Sequence, residues 1–139
     1  MPRTRVETRA RARVLQALYA WDLRGELELE RVATQIWDDL SVPPDERKIA
    51  GLLVRTVASH GKELDAEITE VTANWRLERL GVIDRCVLRM AAAELQRAET
   101  PPRVVIQEAV RLAERYGSVK SAKFVNGVLD ALARRMGRM

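Results

Sequence analysis

The chain has one cysteine, one histidine, and only three tryptophans, two tyrosines and one phenylalanine among 139 residues. A lone Cys86 forbids any disulfide within the chain. Its neighbours Val82, Ile83, Val87 and Leu88 give it the setting of a small buried hydrophobe rather than a reactive thiol. A lone His60 leaves neither a zinc site nor a Cys–His nucleophile pair with convincing ligands, and no phosphate-cradling P-loop occurs. Catalytic residues, metal ligands and cofactors are therefore all expected to be none. No run approaches the about 18 consecutive apolar residues of a membrane span, and the amino terminus opens on arginines rather than a secretory apolar stretch. A cytoplasmic location is expected. With 4% aromatics and no alternating apolar pattern, a β-rich fold is excluded as well.

What is present is helical material: 47% hydrophobic and 32% charged residues, rich in Ala, Leu, Arg and Glu. The length suits one domain, residues 1–139, with a core that needs no disulfide. Apolar spacing predicts helices over about 4–23 and 28–40, the second carrying Val32, Ile36, Trp37 and Leu40 on one face before Pro43-Pro44 stops it. Residues 45–59 and then Leu64, Ile68 and Val71 read as one helix kinked near Gly61, or as two. The most continuously apolar helix, about 79–98, is the expected centre of the core. Pro101-Pro102 opens a helix through Tyr116, Gly117 suits a left-handed cap, and Ser118 caps a last helix over about 119–136. The result is an all-α protein of six to seven helices.

The charge is unevenly distributed. Residues 1–20 hold five of the 24 basic and one of the 20 acidic residues, so the other 119 hold 19 of each and the net +4 sits at one end. Such a footprint points to a polyanion. On a helix, Arg5, Arg9, Arg13 and Gln16 share one side, opposite Ala10, Val14, Ala17, Leu18 and Trp21. Guanidinium forks suit phosphate oxygens and base edges, and Gln16 beside them suits a base edge. The alternative is a solvated face that pairs with glutamates elsewhere. Arg11 projects toward the edge of the apolar face, where it would brace a carboxylate or touch RNA.

A second signal runs from Tyr116 to Gly127. Gly127 interrupts a helix whose Val125, Val128, Leu129 and Leu132 face inward, at a cost of about 1 kcal/mol relative to alanine. Close approach of another backbone would compensate that cost, as would close approach of a ligand. Tyr116 and Phe124 beside Lys120 and Lys123 would pack in the core or stack on splayed bases.

Three blocks, taken together and in order, resemble the NusB family of bacterial transcription antitermination factors over essentially the whole chain. The first is the arginine-rich start with Gln16, Leu18 and Tyr19. The second contains Asn74, Trp75, Leu77, Arg79 and Leu80, then Asp84-Arg85, Leu88-Arg89, Ala91 and Glu94-Leu95. The third runs from Pro102 through Gln107-Glu108-Ala109-Val110 and Tyr116-Gly117 to Ser121, then Lys123-Phe124-Val125-Asn126-Gly127-Val128-Leu129-Asp130. Gln107 departs from the asparagine usual in the family.

The resemblance implies two three-helix bundles packed together. It also implies binding of the boxA element of nascent ribosomal RNA leaders together with NusE, a small-subunit ribosomal protein, and entry into the Nus complex on RNA polymerase. Carried over by motif, the RNA-binding residues are Arg9, Arg11, Gln16, Tyr116, Ser121, Lys123, Phe124 and Asn126, to which the helix face adds Arg5 and Arg13. The NusE-facing residues are Tyr19, Glu78 and Asp84, since carboxylates suit a basic partner, although Asp84 would serve equally as a cap or ion pair within the fold. A homodimer is compatible with the sequence and would bury the arginine face until a partner arrives. Three rival readings are weaker. The related RNA-binding module of ribosomal RNA cytosine methyltransferases precedes a long catalytic domain that 139 residues do not carry. A helix-turn-helix at Gly117 offers few base-reading side chains for duplex DNA. A helical interaction scaffold leaves the arginines merely solvated.

Overall fold

The computed structural model describes residues 5–25, 27–72 and 76–139. Among them the chain forms six α-helices and no strand: α1 (Arg5–Arg24), α2 (Leu29–Asp39), α3 (Pro44–Val71), α4 (Val82–Arg97), α5 (Pro102–Tyr116) and α6 (Val119–Arg135). The all-α class expected from composition is the class that forms. Residues Leu77–Arg79 make a 3-10 turn, so α4 starts three residues later than its apolar spacing suggests. Arg85 fixes that entry by donating from Nη1 to the Leu80 carbonyl at 2.8 Å.

The chain divides into two compact units between Ser59 and His60, and α3 runs through the division. His60 leaves helical geometry (φ −119°, ψ 16°), one residue before the expected kink at Gly61. Ser59 and Gly61 flank it, residue types that hold a helical turn weakly.

In the first unit α1 packs on α2. Ala10, Val14, Ala17 and Leu18 are fully buried, as their shared helical face requires, and Val32, Ala33 and Trp37 of α2 are buried with them. Arg47 of α3 closes the end of α2. Its Nε and Nη2 donate to the carbonyls of Val42 and Trp37, each at 2.8 Å, and Nη1 pairs with Asp38 at 2.6 Å. The Trp37 carbonyl, in the last turn of α2, also accepts the Val42 amide at 2.9 Å. Leu40, expected on the inner face, is exposed: it is the cap residue, and the left-handed Ser41 (φ 52°) turns the chain so that Val42 is buried in its stead.

In the second unit α4 is the central element, as expected, burying Cys86 through Leu88 and Met90 through Leu95 and packing on both α5 and α6. The end of α3 joins it through Asp65, whose carboxylate accepts from Arg89 Nε and Nη2 at 3.0 and 3.2 Å. Glu67 pairs with Arg135 of α6 at 2.6 Å. Ala98 closes α4 in left-handed geometry (φ 60°). Arg138 latches over that end, donating to the carbonyls of Leu95 at 2.7 Å and Thr100 at 3.2 Å.

The α5–α6 junction departs from expectation. Gly117 is not left-handed (φ −112°, ψ −103°). A side chain is excluded there by proximity: a Cβ would lie 2.7 Å from the Ala113 carbonyl oxygen and 2.8 Å from Ser121 Oγ. Ser118 caps α6 as expected, its Oγ accepting the Ser121 amide at 3.0 Å.

Candidate nucleic-acid interface

The ridge on α1 is built around a carboxylate from another helix. Arg9 donates from Nε to Glu46 Oε2 at 2.8 Å, and Arg13 from Nε to Glu46 Oε1 at 3.0 Å. Glu46 stands in the first turn of α3, where the diproline directs the chain back toward α1, and its side chain is only 3% exposed. The arginines are more open, at 48% for Arg9 and 25% for Arg13, and Arg13 Nη1 also reaches Gln16 Oε1 at 3.2 Å. Three of the expected RNA-binding residues thus share one patch. The glutamate pairing expected of a merely solvated face is present too, and it uses only the inner edges of the two forks.

Burial pushes the Glu46 carboxyl upward. Hydrogen bonds from Arg13 and Arg9, together with their charges, outweigh that and hold it below its usual value near 4.5. The two arginines therefore favour the charged form of this carboxyl despite its burial.

Arg11 does not join the patch. It is 4% exposed and engaged within the protein, because its position on the helix turns it toward the apolar side. A guanidinium so enclosed cannot reach a phosphate, and its expected RNA contact is corrected to a role inside the fold. Arg5 opens α1, and its side chain lies outside the described residues, as do Asn74 and Trp75.

In the second unit Tyr116, Ser121, Lys123, Phe124 and Asn126 gather about the α5–α6 turn. Tyr116 is 46% exposed, with the Arg115 guanidinium 5.4 Å from its ring centre, so the ring is not core packing. Phe124 is half-buried, while Lys123, Asn126 and Gly127 are exposed along one stripe of α6. Ser121 Oγ accepts from Ser118 Oγ at 3.3 Å, which leaves its own hydroxyl proton to donate elsewhere. A Cβ at Gly127 would meet nothing within 4 Å. Close approach of another described backbone, the first explanation for that glycine, is therefore overturned.

The residues expected to face a protein partner divide between the units. Tyr19 is 39% exposed on α1. Glu78 is exposed in the 3-10 turn beside Arg76, and Asp84 lies half-buried in the first turn of α4. Among the described residues Asp84 Oδ1 is buried without a hydrogen-bond partner. Gln107, the departure from the resembled pattern, is exposed on α5. No group of three or more His, Cys, Asp or Glu is placed to hold a metal among the described residues, and no helix there is long and apolar enough to cross a membrane.

The six-helix fold recurs in known proteins. The model of the NusB family matches residues 8–134. This chain belongs to the NusB family. It is 46% identical over 129 residues to the transcription antitermination protein NusB of Anaeromyxobacter dehalogenans, which covers 91% of this chain and 89% of that one. The crystal structure of T. maritima NusB superposes with a TM-score of 0.84 at 33% identity, covering 96% of this chain and 93% of that one. A crystal structure of the antitermination factors NusB and NusE in complex with dsRNA matches with a TM-score of 0.86 at 32% identity, covering 96% and 99%. NusB-family membership places the chain among non-enzymatic transcription antitermination factors.

Sequence reasoning missed Glu46. The only signal for it was the carboxylate pair Asp45-Glu46 that follows Pro43-Pro44, at the point where the chain must turn back toward α1.

Proposed function

We propose that this chain acts in antitermination by binding the boxA element of nascent ribosomal RNA leaders together with NusE, the pair then joining the other Nus factors on RNA polymerase. The observation that carries the reading is the outward-facing pair Arg9 and Arg13, anchored on one buried carboxylate, in a chain whose whole positive excess lies at that end. The NusB–NusE–dsRNA structure supports it, since a relative of the same fold binds both kinds of partner. In this reading the domain is a single RNA-binding module acting in the cytoplasm.

The α1 patch supplies phosphate attraction through Arg9 and Arg13, with Arg5 at its start and Gln16 at a base edge. Tyr116, Ser121, Lys123, Phe124 and Asn126 supply stacking and base contacts, and the open face at Gly127 admits a strand close to the helix backbone. Tyr19, Glu78 and Asp84 meet NusE, whose basic character suits the carboxylates. NusE and RNA then raise each other's affinity by the same factor. A homodimer that covers the arginine patch is an off state in this scheme, and gel filtration with and without RNA detects it.

The test is binding of the purified chain to a short boxA-type single-stranded RNA, a scrambled RNA and a duplex DNA, each with and without NusE. Preference for boxA that NusE strengthens is the expected result. Equal, weak binding to all three leaves a helical interaction scaffold instead.

A further inference from the structure

Two arginines on one helix face are flexible cations, and among the described residues of α1 only Gln16, which accepts from Arg13 Nη1 at 3.2 Å, restrains either of them. Each guanidinium offers two usable edges, and in both Arg9 and Arg13 the Nε position is occupied by the same carboxylate. Each Glu46 oxygen takes one arginine, so the two forks are held side by side, one helical turn apart on α1. Glu46 is almost wholly enclosed, whereas the arginine side chains keep 48% and 25% of their surface. We infer that Glu46 is a positioning residue for RNA binding, a buried carboxylate that orders Arg9 and Arg13 so that their exposed edges meet successive phosphates. The inference rests on the proposal that the α1 patch contacts RNA.

Its consequence runs against simple electrostatics. Removing a negative charge from the wall of a polyanion site strengthens binding if charge alone matters. If Glu46 orders the forks, removing its charge weakens binding, because the RNA must then immobilise two rotamer-rich side chains that the protein had already ordered. A strap that merely ties α1 to α3 lowers thermal stability without lowering the affinity of the folded protein.

The experiment is a mutant cycle on the full chain, read as the dissociation constant for a boxA-type single-stranded RNA at fixed salt below the melting temperature of every variant. Its members are wild type, Glu46→Gln, Arg9→Ala with Arg13→Ala, and all three changes together. Expected are about a tenfold loss for Glu46→Gln alone, a loss for the arginine pair, and less than about twofold further loss when Glu46→Gln is added to that pair. Unchanged or tighter binding by Glu46→Gln, with the arginine pair weakened, overturns the positioning role and leaves the α1 contact standing. No effect of the arginine pair overturns the α1 contact and the inference with it. Should Glu46→Gln not fold, Glu46→Asp replaces it, keeping the charge while withdrawing the carboxylate by one methylene, with the same split of outcomes.

Discussion

The indole N–H of Trp37 donates to the backbone carbonyl of Arg13 at 3.1 Å, so the residue that carries one guanidinium of the α1 patch is pinned from behind by α2. Trp37→Phe deletes that donor and leaves a part-buried carbonyl to helical pairing alone, a cost of about 1 kcal/mol. Trp37→Ala adds a cavity and costs about 3–5 kcal/mol. Chemical denaturation of the two variants checks the order, and equal midpoints for Phe and wild type would remove the hydrogen bond from the account.

Salt dependence reports the phosphate contacts. With about three phosphates neutralised on a single strand, the slope of log affinity against log salt is about −2. Arg9→Ala flattens it by about 0.7, and charge reversal at Arg9 flattens it further. Titrations across a range of salt concentrations, for wild type and variant, give the slope directly; an unchanged slope removes Arg9 from the contact set.

Acid stability follows from Glu46. Its folded value lies below the ordinary one near 4.5, so between the two the unfolded chain binds more protons. The stabilisation it contributes is therefore fully present above about 4.5 and drains away as the pH falls through the lowered folded value. Glu46→Gln removes that part of the pH dependence, and melting temperatures of the variant fall less steeply than those of wild type between pH 5 and pH 3.

Gly117, at the α5–α6 turn, and Gly127, inside α6, respond oppositely to alanine. Gly117→Ala forces a Cβ to within 2.7 Å of the Ala113 carbonyl oxygen and destabilises by about 1–3 kcal/mol. Gly127→Ala meets open space inside a helix and stabilises by about 1 kcal/mol. If a strand runs over that face, the stabilised variant binds RNA more weakly than wild type. Thermal melts and RNA titrations of the two variants separate these effects.

The α4 terminus offers a plain stability test. Ala98 sits exposed at φ 60°, a conformation that disfavours a side chain. Ala98→Gly relieves it, less the extra freedom glycine brings to the unfolded chain, for a net gain of about 0.5 kcal/mol, read as a small rise in melting temperature.

Helices whose period is carried by many residues were legible in the sequence: the buried faces of α1, α4 and α6 are those the spacing of Val14, Leu18, Leu88, Leu95, Val125 and Leu132 implies. Single-residue geometry was less so. Leu40 fits the α2 period yet falls on the cap, where Ser41 turns the chain, and Gly117 is demanded by crowding against Ala113 and Ser121 rather than by its own backbone angles. In the candidate site, Arg9, Arg13 and Gln16 were found because one helix aligns them. Glu46 escaped because it lies 33 positions from Arg13, and a periodic pattern is blind to a partner on another element. Arg11 sits on a boundary between faces, and only packing, which encloses it, favours the internal role of the two the sequence left open.

The buried carboxylate also limits how loudly the patch speaks at a distance. Two guanidiniums and one carboxylate leave a single uncompensated charge, so beyond roughly a Debye length of 8–10 Å this cluster adds to the charge of the amino-terminal end no more than one lysine would. Up close, two ordered forks remain. If the patch binds RNA as proposed, its selectivity comes from the spacing of those forks more than from attraction at a distance.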